Sequence, residues 1–219
     1  MQKSTSYYEH SRDEMLDFIN SVPRTILEIG CGTGKFRQNF NSIEYWGVEP
    51  CATAAAEASK TLSRVITGLY DDVQTSIPDQ NFDLIVCNDV IEHMPDPKKF
   101  LKGISTKLNP NGILIASVPN LRNAVPLFEL LAKGDFSYSE AGGILDYTHF
   151  HLFTRKSFIR MATECGWQID CCRPINKQPF KPIKRLALAI AKTFIPEIEF
   201  LQIGFRLKRP ATCSSEPQN

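Results

Sequence analysis

Four stretches of this 219-residue chain carry residue types and spacings that could do chemistry. The first is Glu28-x-Gly30-x-Gly32-x-Gly34, an acid followed by glycines at alternate positions. Glycine accepts positive φ and lets a ligand approach the main chain closely. The second is Glu49-Pro50, about 20 positions on, where nucleotide folds place an acid against a ribose. A carboxylate can accept from both hydroxyls of a sugar diol. The third is Asn88-Asp89-Val90-Ile91-Glu92-His93, and the fourth is Asp146-Tyr147-Thr148-His149-Phe150-His151. Both hold carboxylates and imidazoles, the groups best suited to move a proton near neutral pH.

Apolar runs supply the elements that must position these groups. Residues 26–29 read as a buried strand ahead of the glycines, and Lys35 onward begins a helical pattern. Strand, glycine turn and helix open a doubly wound α/β sheet, with helix N–H groups turned toward an anionic ligand. Residues 45–48 form a second strand that ends at Glu49, and the Ala-rich run 52–62 a helix. Residues 64–67 form a third strand, followed by Gly68, Leu69, Tyr70 and Asp71. Residues 82–87 read as a strand buried on both faces. Asn88 and Asp89 then sit at its C-terminal end, where open α/β sheets bind ligands. A helix over 98–108, a turn over 109–112 and a strand over 112–118 follow. Within the irregular stretch 121–144, residues 124–131 are a helix candidate. Thr154 suits the N-cap of a helix over 155–165. Strands are expected over 167–173 and 199–207. Ahead of the first strand, Met15, Leu16, Phe18 and Ile19 give a helical apolar face.

The glycine motif with Glu49 closely resembles the first motif of class I S-adenosylmethionine-dependent methyltransferases. The run from Asn88 to Pro97 is similar to the fourth motif of small-molecule methyltransferases, including the ubiquinone-biosynthesis O-methyltransferase group. The resemblance covers residues 7 to 154. It implies a Rossmann-like, doubly wound seven-stranded sheet, mostly parallel with an antiparallel last strand, and helices on both faces. It implies S-adenosyl-L-methionine as cofactor, with Glu28 toward the methionine amino group and Gly30, Cys31, Gly32 and Gly34 forming the bend. Glu49-Pro50 would meet the ribose. Leu69, Tyr70 and Asp71 are candidates for the adenine, without a choice among them. Asn88 and Asp89 would flank the methionine, while His93 is either a cofactor contact or a packing element. Tyr8 and Arg12 would close over the ligand from a lid in residues 1–22. The segment Asp146 to Thr154 resembles an Asp-x-Thr-His-x-x-x-Phe-Thr signature of bacterial enzymes tied to glycan gene clusters, with His151 where Arg is common. The stretch 121–154 would be the acceptor-side insertion. His149 is the expected base, Asp146 its orienting partner or an acceptor contact, and His151 the second choice.

Composition narrows the alternatives. The length suits one domain over 1–219. A net charge of +1 leaves no basic footprint for nucleic acid. Seven cysteines, none in a C-x-x-C pair, argue for a reducing, cytoplasmic setting and against a zinc site; no metal-ligating residues are assigned, and metal dependence is left open. No apolar run reaches membrane-spanning length. The basic-flanked apolar run 181–194 suits packing under a lid better than contact with a membrane surface, and 211–219 reads as a flexible tail. The expected function is O-methylation of a small-molecule or glycan hydroxyl. A non-catalytic binding module and a methyltransferase for RNA or protein are the alternatives. Lys35 in the third-glycine place of a dinucleotide fingerprint disfavours a nicotinamide enzyme, and oligomeric state is left open.

Overall fold

Alternation along the central strands decides the layers. In a computed structural model, residues 11–41, 43–180 and 189–209 are described. Chain order runs β1 (Thr25–Ile29), β2 (Glu44–Glu49), α1 (Ala52–Ala58), β3 (Arg64–Thr67), α2 (Tyr70–Val73) and β4 (Phe82–Asn88). Then follow α3 (Pro97–Ile104), β5 (Leu108–Pro119), α4 (Ala124–Lys133), α5 (Arg155–Glu164), β6 (Gln168–Lys177) and β7 (Phe200–Lys208). Leu27, Ile85, Cys87, Leu114 and Ala116 face one side, where Phe100, Leu101 and Ile104 of α3 and Phe158 and Met161 of α5 cover them. Ile26, Leu84, Val86, Ile113 and Ile115 face the other, with Met15, Phe18, Phe36, Ala58 and Leu62. Side chains that alternate with a period of 2 and are apolar on both faces need cover on both faces.

The strands form one seven-stranded sheet in the order β3-β2-β1-β4-β5-β7-β6. β1 to β5 pair in parallel, and β7 runs antiparallel to both β5 and β6. The expected doubly wound sheet with an antiparallel last strand is therefore present. Winding reverses between β1 and β4, so the crevice at their C-terminal ends is the ligand position for an open sheet.

Several local expectations are corrected. Residues Lys35–Asn39 make a short 3-10 helix, and Phe40 returns to extended backbone. The Asn39 side chain donates to the Ser11 carbonyl at 3.1 Å, a tertiary contact with the N-terminal segment where the short helix ends. The bend therefore leads into no long helix. The segment Asp13–Phe18 is likewise 3-10, with Met15 and Phe18 buried. Residues 109–112 lie inside β5, as an irregularity between the pairs Phe82–Leu108 and Leu84–Ile113. α1 stops at Ala58, short of the expected 62. α5 begins as expected, with Thr154 capping the Ser157 N–H in a reciprocal box.

Residues 189–194 are helical. The expectations for Tyr8, for 181–188 of the basic run and for the tail 211–219 lie outside the described residues. Among the described residues no helix is long and apolar enough to cross a membrane, and Cys31, Cys51, Cys87, Cys165, Cys171 and Cys172 are free thiols.

Candidate active site

The bend after β1 is held from both sides. Gly30, Gly32 and Gly34 have φ of 70, 53 and 79°, which is left-handed territory that costs an ordinary residue about 1–2 kcal/mol. The Gly30 and Cys31 N–H groups donate to the Val48 carbonyl at 2.8 and 3.1 Å, tying the bend to β2. A Cβ on Gly30 would stand 2.6 Å from Val90 Cγ2, so the first motif and the segment after β4 abut directly. The Cys31 side chain turns away from the crevice into the core, against Gly47 and Leu62. Only its backbone belongs to the bend.

Glu49 ends β2 and is 4% exposed. Its Oε2 accepts from the Gly32 N–H and its Oε1 from the Cys51 N–H, each at 2.9 Å. Burial raises its carboxyl, and these two N–H groups oppose the shift. Each oxygen keeps lone-pair capacity for a further donor. Pro50, next in the chain, is exposed. Glu28 has the same parity in β1 as Ile26 and accepts from the Tyr45 hydroxyl at 2.8 Å. Burial pushes the Glu28 carboxyl up to about 8; the Tyr45 hydroxyl and the Arg12 charge oppose this, and Glu49 adds to it.

Across the crevice, β4 ends in Asn88, whose side-chain nitrogen and oxygen are both buried with no hydrogen-bond partner. Such orphaned amide atoms are costly and mark a place prepared for something polar. Asp89 follows at φ 52°. Its Oδ2 accepts from Arg12 Nη1 at 2.7 Å and its Oδ1 from the Ser117 hydroxyl at 2.7 Å. Arg12 Nη2 also donates to the Ser117 oxygen at 2.7 Å. Burial works against the Asp89 anion, but Arg12, Ser117 and the His149 charge hold its carboxyl below the usual range. Arg12 thus reaches the crevice from the N-terminal segment, though its guanidinium is engaged with protein groups. Ser117, and Gln202 from β7, which donates to Asp89, were not visible as site residues in the sequence. They come from strands whose apolar runs advertise only a core.

Of the three adenine candidates, Tyr70 is a core residue. Its ring meets Phe100 at 4.9 Å between centroids, because α2 needs an apolar anchor on α3. Asp71 is exposed, with Lys99 of α3 at 3.9 Å. Leu69 is 61% exposed, two residues beyond β3 at the start of α2.

The fourth stretch docks onto the third through one carbonyl. Phe150 and His151 N–H groups both donate to the Glu92 carbonyl, at 2.9 and 3.1 Å. This sets His149 Nε2 4.0 Å from Glu92 Oε1 and the His149 ring edge-on to His93, 4.7 Å between centroids. His149 Nδ1 lies 3.0 Å from the Ile144 carbonyl, and His93 Nδ1 lies 3.1 Å from the Thr148 carbonyl. Asp146, buried, accepts at Oδ1 from the Thr148 N–H and hydroxyl at 2.9 and 2.8 Å, an Asx turn that shapes the loop. His151 lies elsewhere, 3.4 Å from the Pro95 carbonyl and stacked on Phe153, so the structure does not bring it to His149. Glu92 is the residue the sequence hid: it is fully buried, with both carboxylate oxygens lacking hydrogen-bond partners. Burial, then Asp89 and Asp146, push its carboxyl well above the usual range against the pull of Arg12. Among the described residues Glu92, His93 and His149 are a group whose ligand-type atoms all lie within 4.8 Å of one another.

Comparison with known proteins agrees with this geometry. Residues 3–171 match a family described as a methyltransferase domain. The ubiquinone biosynthesis O-methyltransferase of Schizosaccharomyces pombe mitochondria is 30% identical over 118 residues, 47% of this chain and 43% of the relative. That of Coxiella burnetii is 27% identical over 176 residues, 67% of this chain and 75% of the relative. The chain thus spans under half of the first and three quarters of the second. A methyltransferase structure from Archaeoglobus fulgidus shares the fold with a TM-score of 0.65 at 15% identity, covering 94% of each chain. With two thirds or more of its length matched and its bend, buried Glu49 and strand order in place, the chain belongs to the methyltransferase-domain family and is a class I S-adenosylmethionine-dependent methyltransferase.

Proposed function

We propose that the enzyme methylates an oxygen of a small-molecule or glycan-type hydroxyl acceptor. The observation that carries the reading is the His149–Glu92 pair. It is buried, imidazole beside carboxylate at 4.0 Å, and near enough to Asp89 at the end of β4 for their charges to interact. The names of the curated relatives, which act in ubiquinone biosynthesis as O-methyltransferases, support the same class.

In this reading the donor lies across the bend, its ribose diol on Glu49, its ammonium toward Glu28 and its adenine under Leu69. Asn88, with its open amide, faces the methionine part. Arg12 exchanges a protein partner for the donor carboxylate. Methyl transfer is an in-line displacement: an oxygen lone pair forms the new O–CH3 bond, the C–S pair goes to sulfur, and a neutral thioether leaves. The hydroxyl proton departs to the group of side chains that includes His149. Holding the reactants in line and excluding water supply most of the acceleration, and proton removal contributes roughly 10²–10⁴-fold. His149→Ala is therefore expected to lower turnover about 100-fold or more with S-adenosylhomocysteine affinity unchanged. Steady-state turnover on a phenolic or sugar hydroxyl acceptor beside calorimetry reads both. Unaltered turnover removes His149 from the chemistry.

A further inference from the structure

We propose that the outward face of α4 is the contact by which two copies of this chain pair about a two-fold axis. The proposal is independent of the acceptor reading above.

α4 lacks the support that a helix of its length needs. Of its ten residues only Pro126 is buried. An isolated helix this short is marginal in water, and most helix stability in proteins comes from packing an apolar face. Asn123 caps the start by accepting from the Val125 N–H at 3.0 Å, and Gly134 closes the end at φ 69°. The ends are finished and the side is not. Val125, Phe128, Leu131 and Ala132, at i, i+3, i+6 and i+7, share one stripe. All four are exposed, Leu131 at 84% and Phe128 at 67%. A stripe of that kind ordinarily faces a core.

A neighbouring segment widens the face. Residues 189–194 are helical, and Ile190 and Phe194 are exposed. Arg122, just ahead of α4, holds this segment to it. Its Nη2 donates to the Phe194 carbonyl at 3.5 Å and its Nη1 to Glu197 Oε1 at 2.8 Å. The Ala124 N–H donates to the Ile198 carbonyl at 2.9 Å. Val125, Phe128, Leu130, Leu131, Ile190 and Phe194 together present roughly 700 Å² to solvent, more than the largest apolar patch of about 300–600 Å² on a typical monomer. It is close to the ~800 Å² that each partner brings to an interface of standard size.

Charge selects the occupant. Beside the patch Lys133 pairs with Glu129 at 3.1 Å, Arg122 with Glu197 at 2.8 Å, and Lys192 with Glu199. Each of these cations is matched by a carboxylate of its own chain, which leaves little positive field for an anionic lipid surface. A second copy meets both signs with both signs. One face paired with itself closes after two subunits and leaves no patch over. Small Ala132 beside bulky Phe128 and Leu131 sets a groove next to a ridge, as helix-on-helix packing requires.

Sedimentation velocity on the full chain at micromolar concentrations tests the pairing. Wild type should run at twice its 24.7 kDa mass, with a dissociation constant in the micromolar range or below, as interfaces of standard size have. Phe128→Asp and Leu131→Asp should each weaken pairing at least tenfold. Circular dichroism melting at high dilution should show both as stable as wild type, since each side chain is exposed in the single chain. Val22→Asp, at an apolar side chain 91% exposed ahead of β1, should pair as wild type does. Flotation with vesicles of phosphatidylglycerol and phosphatidylcholine is the second arm, and the chain should stay unbound. A monomeric wild type overturns the proposal, as does a dimer that both α4 variants keep. Vesicle binding that Phe128→Asp abolishes would also overturn it, by giving the face to a membrane.

Discussion

Glu28 sets a proton balance at the first bend. Its carboxyl rises to about 8 from an unfolded value near 4.3. A raised acid holds its proton more tightly in the folded state. Its contribution to stability is complete below about pH 4.3 and is lost as pH rises toward about 8. Glu28→Gln, which keeps an acceptor for the Tyr45 hydroxyl, should therefore lose less melting temperature than wild type between pH 6 and 9. Donor binding adds the opposite linkage: an ammonium beside Glu28 favours the anion, so binding at neutral pH should release a proton. Calorimetry in buffers of different ionisation enthalpy reads that release, and it should shrink in Glu28→Gln. Equal heats in all buffers would contradict the placement of Glu28. At this scale the sequence was informative where chemistry and backbone coincide, as at Glu49 with the glycines. It placed Glu92 in the third stretch but gave it no role of its own, because its setting comes from burial and from a loop more than fifty residues later, and it offered Tyr70 for the adenine although the ring serves the core.

Among the elements, the bend and the segment after β4 depend on each other through Gly30 and Val90. Gly30→Ala would combine φ of 70° with a Cβ 2.6 Å from Val90 Cγ2. Strain and overpacking together should cost about 2 kcal/mol or more. Adding Val90→Ala should recover the steric part and not the backbone part. Urea unfolding of the two variants measures this, and wild-type stability in Gly30→Ala would show that the contact is not a constraint. The parallel strands were legible because β-branched and aliphatic runs ended at glycine or acidic punctuation. The 3-10 segments were not, since Met15 and Phe18 fit a helical face as well as a single tight turn. The position of β5 residues 109–112 also escaped the sequence: Asn-Pro-Asn-Gly reads as a turn, yet pairing with β4 draws it into the sheet as an irregularity. The docking of 146–151 onto the Glu92 carbonyl is tertiary and leaves no periodic trace.

For the molecule as a whole, the reversal of winding between β1 and β4, with the docking of 146–151 onto the Glu92 carbonyl, brings together four stretches of which the first and last lie more than a hundred residues apart. The fold was legible as a class because each strand is strongly apolar and each motif sits at a strand end. In the proposed reading the acceptor meets the surface beyond Asp89 and His149, where Phe150 at 69% and Tyr147 at 46% exposure offer apolar cover without a sequence signature for one substrate. The central claim is that the donor nucleoside lies across the first bend with its ribose on Glu49. Titration calorimetry of S-adenosylhomocysteine into wild type, Glu49→Gln and Glu49→Ala tests it most directly, with melting curves to show that each is folded. Loss of a charged hydrogen-bond acceptor should weaken binding about 10–100-fold. Binding of equal strength in all three proteins, or no binding to the wild type, would contradict it.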